Sequence, residues 1–556
     1  RRTLGVMGCA GSKEAVDGTN HADIKTSVAA PTGAGDASNR NTTQSGYHSD
    51  VAGGTKHAFT EQLVTNNIHK IHEVYDLTHS TTLGRGACGS VSTCKHIATQ
   101  ALYAMKTVSI EGMGAHDMAD LRQEIAVQKS LDHPNIVKVF ETFEDPVNRE
   151  LHIIMEMCTG GALVSRMKTH RHGYGERAAA TLMEKALSAT MYCHKHGVVH
   201  RDIKLDNFIY ENEDEMAELK LIDFGFASFV APGQESMLDK IGTPSYMAPE
   251  LWMEDDKKYD SSVDMWALGV VCYMLLSGTR PFHHQDRHEK KRRICHDPLH
   301  FHSPGPWDHV SAAAKDFCSK LMQKNPRDRM PASEAVHHPW IKQQSTLHQG
   351  EDAAHEMQRH QDIVDSLQAF SEADDLKRVA LEVIAFSTPP GKLEELRHMF
   401  VNMDTDDSGT LSIEEFKKAM ALHPEIPMAQ VEKMFHDMDI THSGEVDYTE
   451  FIAAANAKNA SAEKPSIIAA FNMLDRDGDG TITKNDLQEM LGRDFTPDEI
   501  DQMIKDSGAS GEPPVLSFSQ FKHMMLKKDG ARLQKMTVHG KVPDHTDGSA
   551  EPRSEA

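Results

Sequence analysis

Gly84-Arg85-Gly86-Ala87-Cys88-Gly89-Ser90-Val91 is a glycine-rich run that two unrelated folds use, and the residues after it decide between them. In a dinucleotide-binding fold the last glycine opens a helix. Here Val91 and then Tyr103-Ala104-Met105-Lys106 read as strands, so the run is a turn between two strands and the lysine sits on a strand. Further strings follow in order: His200-Arg201-Asp202 with Lys204 and Asn207 just behind, then Asp223-Phe224-Gly225. Glycines let backbone N–H groups approach a phosphate chain with no side chain between them.

In this order the strings resemble the protein kinases. The resemblance implies a bilobal α+β domain over residues 75–341 that uses ATP and Mg2+. It puts the nucleotide against Leu83, Gly84, Gly86, Gly89, Val91, Ala104 and Lys106, with Met155 as gatekeeper and the hinge residues Glu156 and Cys158 behind it. Glu124, in Asp120-Leu121-Arg122-Gln123-Glu124-Ile125, is expected to hold Lys106. Asp202 is expected to orient the acceptor hydroxyl, Lys204 to stabilise the transferring group, and Asn207 and Asp223 to bind magnesium. Gly242-Thr243-Pro244-Ser245-Tyr246-Met247-Ala248-Pro249-Glu250 resembles the end of an activation segment, with Arg329 placed to pair with Glu250. Lys204 together with Gly242-Thr243 resembles the serine/threonine rather than the tyrosine kinases. Asp239 stands where many kinases carry a phosphothreonine, a fixed charge for Arg201.

The second half carries an independent signal. Asp404-Thr405-Asp406-Asp407-Ser408-Gly409-Thr410-Leu411-Ser412-Ile413-Glu414-Glu415 meets the twelve-residue calcium-loop pattern, with ligands expected from Asp404, Asp406, Ser408, Thr410 and Glu415. A second loop offers Asp439, Thr441, Ser443, Glu445 and Glu450, and Thr441 in place of an acid predicts weaker binding. A third offers Asp475, Asp477, Asp479, Thr481 and Asp486, whose shorter final carboxylate loses bidentate reach and favours the smaller magnesium ion. A fourth unit keeps flanking helices, but Gly508-Ala509-Ser510-Gly511-Glu512-Pro513-Pro514-Val515 lacks the first carboxylate and Gln520 replaces the last, so no calcium is expected there.

A kinase joined to its own calcium hands resembles the calcium-dependent protein kinases of plants and protists. The fold class is then multidomain, a bilobal α+β kinase followed by an all-α calmodulin-like domain of paired EF-hands. The expected boundaries are a disordered extension over 1–70, the kinase over 75–341, an autoinhibitory junction over 342–388, hand pairs over 391–458 and 462–527, and a disordered tail over 528–556. In the junction, Leu376, Val379, Ala380, Val383 and Ile384 share one helical face beside Lys377 and Arg378, the pattern of a basic amphipathic target for a calcium sensor. The family implies that this segment blocks the cleft without calcium and is drawn off by grooves that include Met399, Met434 and Met473. The expected partners are protein substrates bearing Ser or Thr, and calcium, with no separate calmodulin.

Charge agrees with cation binding. The 556-residue chain has a formal charge of −24, and residues 393–527 hold 26 acidic against 12 basic side chains, which argues against nucleic acid. Eight cysteines without metal spacing suit reduced thiols in a cytoplasmic protein. No run of eighteen apolar residues is present, but Met7-Gly8-Cys9-Ala10-Gly11-Ser12 fits myristoylation at Gly8 with palmitoylation at Cys9 if translation starts at Met7, which would anchor the chain to the cytoplasmic face of a membrane. Departures from the family pattern are Cys88 at the tip of the glycine loop, Leu205 in place of proline, and Gly160-Gly161-Ala162, which lacks an acid that commonly contacts the ribose or a basic substrate residue. The alternative, a calcium-sensing pseudokinase scaffold, is disfavoured because Lys106, Asp202, Asn207 and Asp223 are all present.

Overall fold

The computed structural model describes residues 63–67, 70–86, 89–215, 217–230, 237, 241–253, 258–345, 353–460, 464–492 and 495–527. Gly8, Cys9, Cys88 and Asp239 lie outside them.

The first lobe is a seven-stranded sheet. Its order is β1 (Thr65–Asn67), β6 (Val139–Asp145), β7 (Glu150–Met155), β5 (Leu102–Ser109), β4 (Gly89–His96) and β2 (Tyr75–Asp76), with β3 (Thr82–Gly86) also paired to β4. β3 and β4 are antiparallel and flank the glycine turn, as the strand pattern predicts. One helix, α1 (Ala115–Lys129), lies against the sheet, burying Leu121 on Val108 and Ile110.

β1 corrects the expectation of disorder throughout residues 1–70. It runs parallel to β6, and Leu63 and Val64 just before it are buried. Two apolar residues inside a polar stretch are too short a signal for periodicity. The open edge of β6 supplies the backbone partners that make Thr65–Asn67 a strand.

The second lobe is built on two helices. α2 (Glu176–Lys195) buries Ala179, Met183, Ala186, Leu187 and Thr190 at three- and four-residue steps, whereas α3 (Ser262–Ser277) is buried on every side and is therefore a core helix. Small strand pairs, β8 (Val198–Val199) with β11 (Ser228–Phe229) and β9 (Phe208–Tyr210) with β10 (Leu219–Leu221), frame the loop between them.

The junction forms two helices, α4 (Ala353–Ser371) and α5 (Asp375–Ser387). The hands follow as α6 (Glu394–Met403), α7 (Ile413–Met420), α8 (Met428–Met438), α9 (Tyr448–Ala455), α10 (Lys464–Leu474), α11 (Lys484–Leu491), α12 (Pro497–Asp506) and α13 (Phe518–Leu526). Each pair shares a short antiparallel contact, Leu411 with Val446 and β12 (Thr481–Ile482) with β13 (Leu516–Ser517). α5 is enclosed by α9, α10 and α12, with Leu376, Val379, Ala380, Val383 and Ile384 all buried in one cluster with Met399 and Met434. Lys377 donates to the Lys527 carbonyl and Arg378 pairs with Asp375 and Asp437, so both basic residues tie the helix to the hands. No helix of the described residues is long and apolar enough to cross a membrane.

Candidate functional site

Sheet register assembles the nucleotide wall. Val91 pairs with Lys106, and Ala104 pairs with Met155, so these four side chains leave the sheet on one face. Gly89 must be glycine, because a Cβ there would lie 1.9 Å from the Thr107 carbonyl oxygen. Lys106 Nζ lies 2.6 Å from Glu124 Oε1, which closes the ion pair between sheet and helix. In the hinge, the buried Glu156 is held by Lys220 at 2.7 Å, and Cys158 is buried. Leu83 is half-buried.

The catalytic loop hangs from α3. Asp264, buried at its first turn, accepts from the backbone N–H of His200 at 2.9 Å and of Arg201 at 2.8 Å, and from His194 at 2.9 Å. Arg201 and Asp223 both adopt left-handed backbone, at φ 66° and 67°, a strained conformation that functional sites hold in place through their surroundings. Asp202 carries a dense set of bonds. Lys204 Nζ contacts its Oδ2, Asn207 Nδ2 lies 3.3 Å from the same oxygen, and Thr243 donates to Oδ1 from its amide at 3.1 Å and its hydroxyl at 2.7 Å.

A divalent cation fits beside it. Asn207 Oδ1 is buried and accepts no hydrogen bond from the described residues. Burial pushes the Asp223 carboxyl above its usual range, against the lowering effect of the Lys106 ammonium. A cation would satisfy the orphaned oxygen and stabilise the carboxylate. At the end of the activation segment, Arg329 makes a two-pronged pair with Glu250 at 2.8 and 3.0 Å. Arg201 donates to the Phe226 carbonyl and to Tyr259 Oη.

The three loops differ in their metal sets. Oxygens of Asp404, Asp406 and Glu415 lie within 4.8 Å of one another, as do those of Asp475, Asp477 and Asp479, without Asp486. Asp486 accepts from the backbone N–H of Arg476 and of Thr483, just as Glu415 accepts from Thr405 and Ser412, so the shorter acid is anchored like the longer one. Burial pushes the Asp404 carboxyl up to about 8, and burial with nearby Asp132 does the same to Asp447. Such crowding of buried acids suits a cation. Asp447, at the ninth position of the second loop, is absent from the ligand set read from the sequence. It returns an acid to the loop in which Thr441 had removed one.

The fourth loop is tied without metal. Gln520 Oε1 accepts from the amide of Ser517 at 3.0 Å, while its Nε2 donates to the Gly508 carbonyl at 3.0 Å and to Ser510 Oγ at 3.1 Å. The carboxamide N–H donors thus bind loop oxygens of the kind a calcium ion would gather.

Known proteins share this arrangement. Residues 77–341 match the protein kinase domain, and residues 393–455 and 464–526 each match the EF-hand domain pair. Calcium-dependent protein kinase 11 of Oryza sativa subsp. japonica is 32% identical over 487 residues, covering 87% of this chain and 80% of that one. Calcium-dependent protein kinase SK5 of Glycine max is 34% identical over 471 residues, covering 84% and 88%, and calcium-dependent protein kinase 17 of Arabidopsis thaliana is 33% identical over 451, covering 80% and 82%. The chain belongs to the calcium-dependent protein kinases. It is a calcium-activated protein kinase that uses ATP and Mg2+, with calcium bound by its hands.

In this kinase the calcium loops themselves rest on the catalytic domain. Thr449, in the second loop, donates to the fully buried Asp132 from its amide at 2.7 Å and its hydroxyl at 2.9 Å, while Lys138 donates to Thr449 Oγ1 at 2.8 Å. A Cβ on Gly409, in the first loop, would lie 2.6 Å from both His133 and Tyr192. Lys195 reaches Glu445 at 2.7 Å and Thr410 at 2.9 Å, and Lys342 reaches Asp407 at 2.7 Å. Arg397 of α6 is buried against Glu211 at 2.7 Å, and Phe386 of α5 meets Phe140 of β6 with ring centroids 5.5 Å apart. Sequence reading missed this interface, since its partners stand up to 317 residues apart and belong to no local motif.

Proposed function

We propose that this kinase phosphorylates Ser and Thr hydroxyls of proteins, and that its junction moves between the catalytic cleft and the hands as calcium changes. The observation that carries the catalytic assignment is the buried Asp202 constellation beside the closed Lys106–Glu124 pair. When bound, ATP and Mg2+ supply the transferable phosphoryl group and the charge that neutralises it. Lys106, fixed by Glu124, steadies the inner phosphates. Asp202, held by Thr243 and Asn207, orients the acceptor hydroxyl and takes its proton, and Lys204 offsets charge on the phosphoryl group in flight. Asn207 Oδ1 and Asp223 are the metal oxygens.

For regulation, the support is the burial of α5 among the hands in an arrangement whose ion pair is closed. The resting state is then one in which the hands release α5 to the cleft. Asp239 supplies the fixed charge of the activation segment, and acylation at Gly8 and Cys9 anchors the chain at a cytoplasmic membrane surface, where one acyl chain alone binds only marginally. Transfer of labelled phosphate to a serine peptide, with and without calcium and with no calmodulin added, tests the whole. We expect calcium-dependent transfer that Asp202→Asn reduces by about three orders of magnitude while calcium binding persists. Full turnover in Asp202→Asn would remove that residue from its role. Cys9→Ser is expected to move protein from membrane to cytosol, and an unchanged membrane fraction would discard the anchor.

A further inference from the structure

Two segments of the second lobe carry a charge opposite to that of the whole chain. Residues 168–172 and 278–297 hold eight Lys and Arg side chains against three acids, with six histidines among them, in a protein of formal charge −24. The fold brings the two segments together. The amide of Tyr174 donates to the Leu275 carbonyl at 2.6 Å, and a Cβ on Gly278 would lie 2.2 Å from the Arg171 carbonyl oxygen. Lys168, Arg171, Arg280 and Arg287 are exposed.

This face adjoins the acceptor groove. A small cavity beside Asp202 is lined by Thr243, Tyr246, Met247 and Leu251 among others. Arg287 lies over the ring of Trp252, in the helical turn that ends the activation segment, at 5.8 Å. On the hinge side, Ala162 is buried and uncharged where an acid would draw a basic substrate residue. The chain's own acidic hands are docked elsewhere, on Asp132, Lys138 and Lys195.

We propose that this face selects protein substrates whose acceptor Ser or Thr is flanked by acidic residues, with Arg287 as a basic contact beside the acceptor groove. The inference rests on the kinase function above and names its substrate class. Opposite charge across an interface raises encounter rate and fixes register, and it weakens with salt.

The test uses the full chain with saturating calcium and three peptides sharing one serine, flanked by Asp, by Ala or by Arg. We expect kcat/KM for the Asp peptide to exceed that for the Ala peptide by roughly tenfold at low salt and to converge on it as salt is raised. Arg287→Glu combined with Lys290→Glu is expected to abolish or invert the ratio. A wild-type preference for the Arg peptide, or an unchanged ratio in the charge-reversed protein, would overturn the proposal. So would loss of binding to phosphatidylserine vesicles in that variant with the peptide ratio intact, which would assign the face to lipid. Transfer to the Ala peptide separates the two levels: its absence with all three peptides overturns the kinase function and this inference together, whereas its presence leaves only the selectivity at issue.

Discussion

Thr243 donates to Asp202 Oδ1 from both amide and hydroxyl, and those two bonds aim a carboxylate that Lys204 and Asn207 hold from the other side. A hydrogen bond to a charged group contributes about 1.5–3 kcal/mol. Thr243→Ala keeps the amide bond and loses the hydroxyl, so kcat is expected to fall by about tenfold, with the KM for ATP little changed. Steady-state kinetics checks this, and an unaltered kcat would make the hydroxyl a bystander. The sequence placed Gly242-Thr243 in an activation segment, but it carried no sign that the threonine touches Asp202, 41 residues earlier.

Among the elements, the two ends of the calcium module behave differently. Glu415 lies with Asp404 and Asp406 in a cation-sized cluster, so Glu415→Gln removes a ligand charge and is expected to raise the calcium needed for activity about tenfold or more. Gln520 instead closes its loop through bonds to Gly508 and Ser510. Gln520→Ala is expected to leave the calcium stoichiometry at no more than three per chain while destabilising the second hand pair by about 1–2 kcal/mol. Calorimetry counts the ions and thermal unfolding reads the stability. Four ions bound, or no loss of stability, would contradict the two halves respectively. That this loop lacks its first and last carboxylates is legible in the sequence. That the glutamine amide takes over the tie is a matter of geometry.

At the scale of the whole molecule, calcium binding and kinase docking share the same loops. Asp132 bonds the second loop directly, so whatever strengthens the loop's bound shape strengthens docking, and docking returns the same factor to calcium affinity. Asp132→Asn weakens this contact without touching the loop's own sequence. The calcium midpoint for activation is expected to rise several-fold in the full chain, with maximal turnover retained, and an unshifted midpoint would uncouple the interface from calcium. A protein ending at Ile341 lacks the junction and hands and is expected to be indifferent to calcium. A truncated enzyme that still responds would require a second calcium site.

Local strings determined much of this protein. The glycine turn between strands, Lys106, Asp202, Asn207, Asp223 and the three calcium loops are each read within a dozen residues, because phosphate and metal chemistry demand fixed residue types at fixed spacing. The amphipathic face of α5 is likewise written in its periodicity, and that face is the one the hands enclose. Tertiary structure alone decided where the module sits, that Thr65–Asn67 complete an edge of the first sheet, and that Thr243 and Arg397 belong to working sites. The reason is physical: these depend on backbone groups, buried charges and surfaces that meet across long stretches of chain, and such meetings leave no pattern in the residues near them.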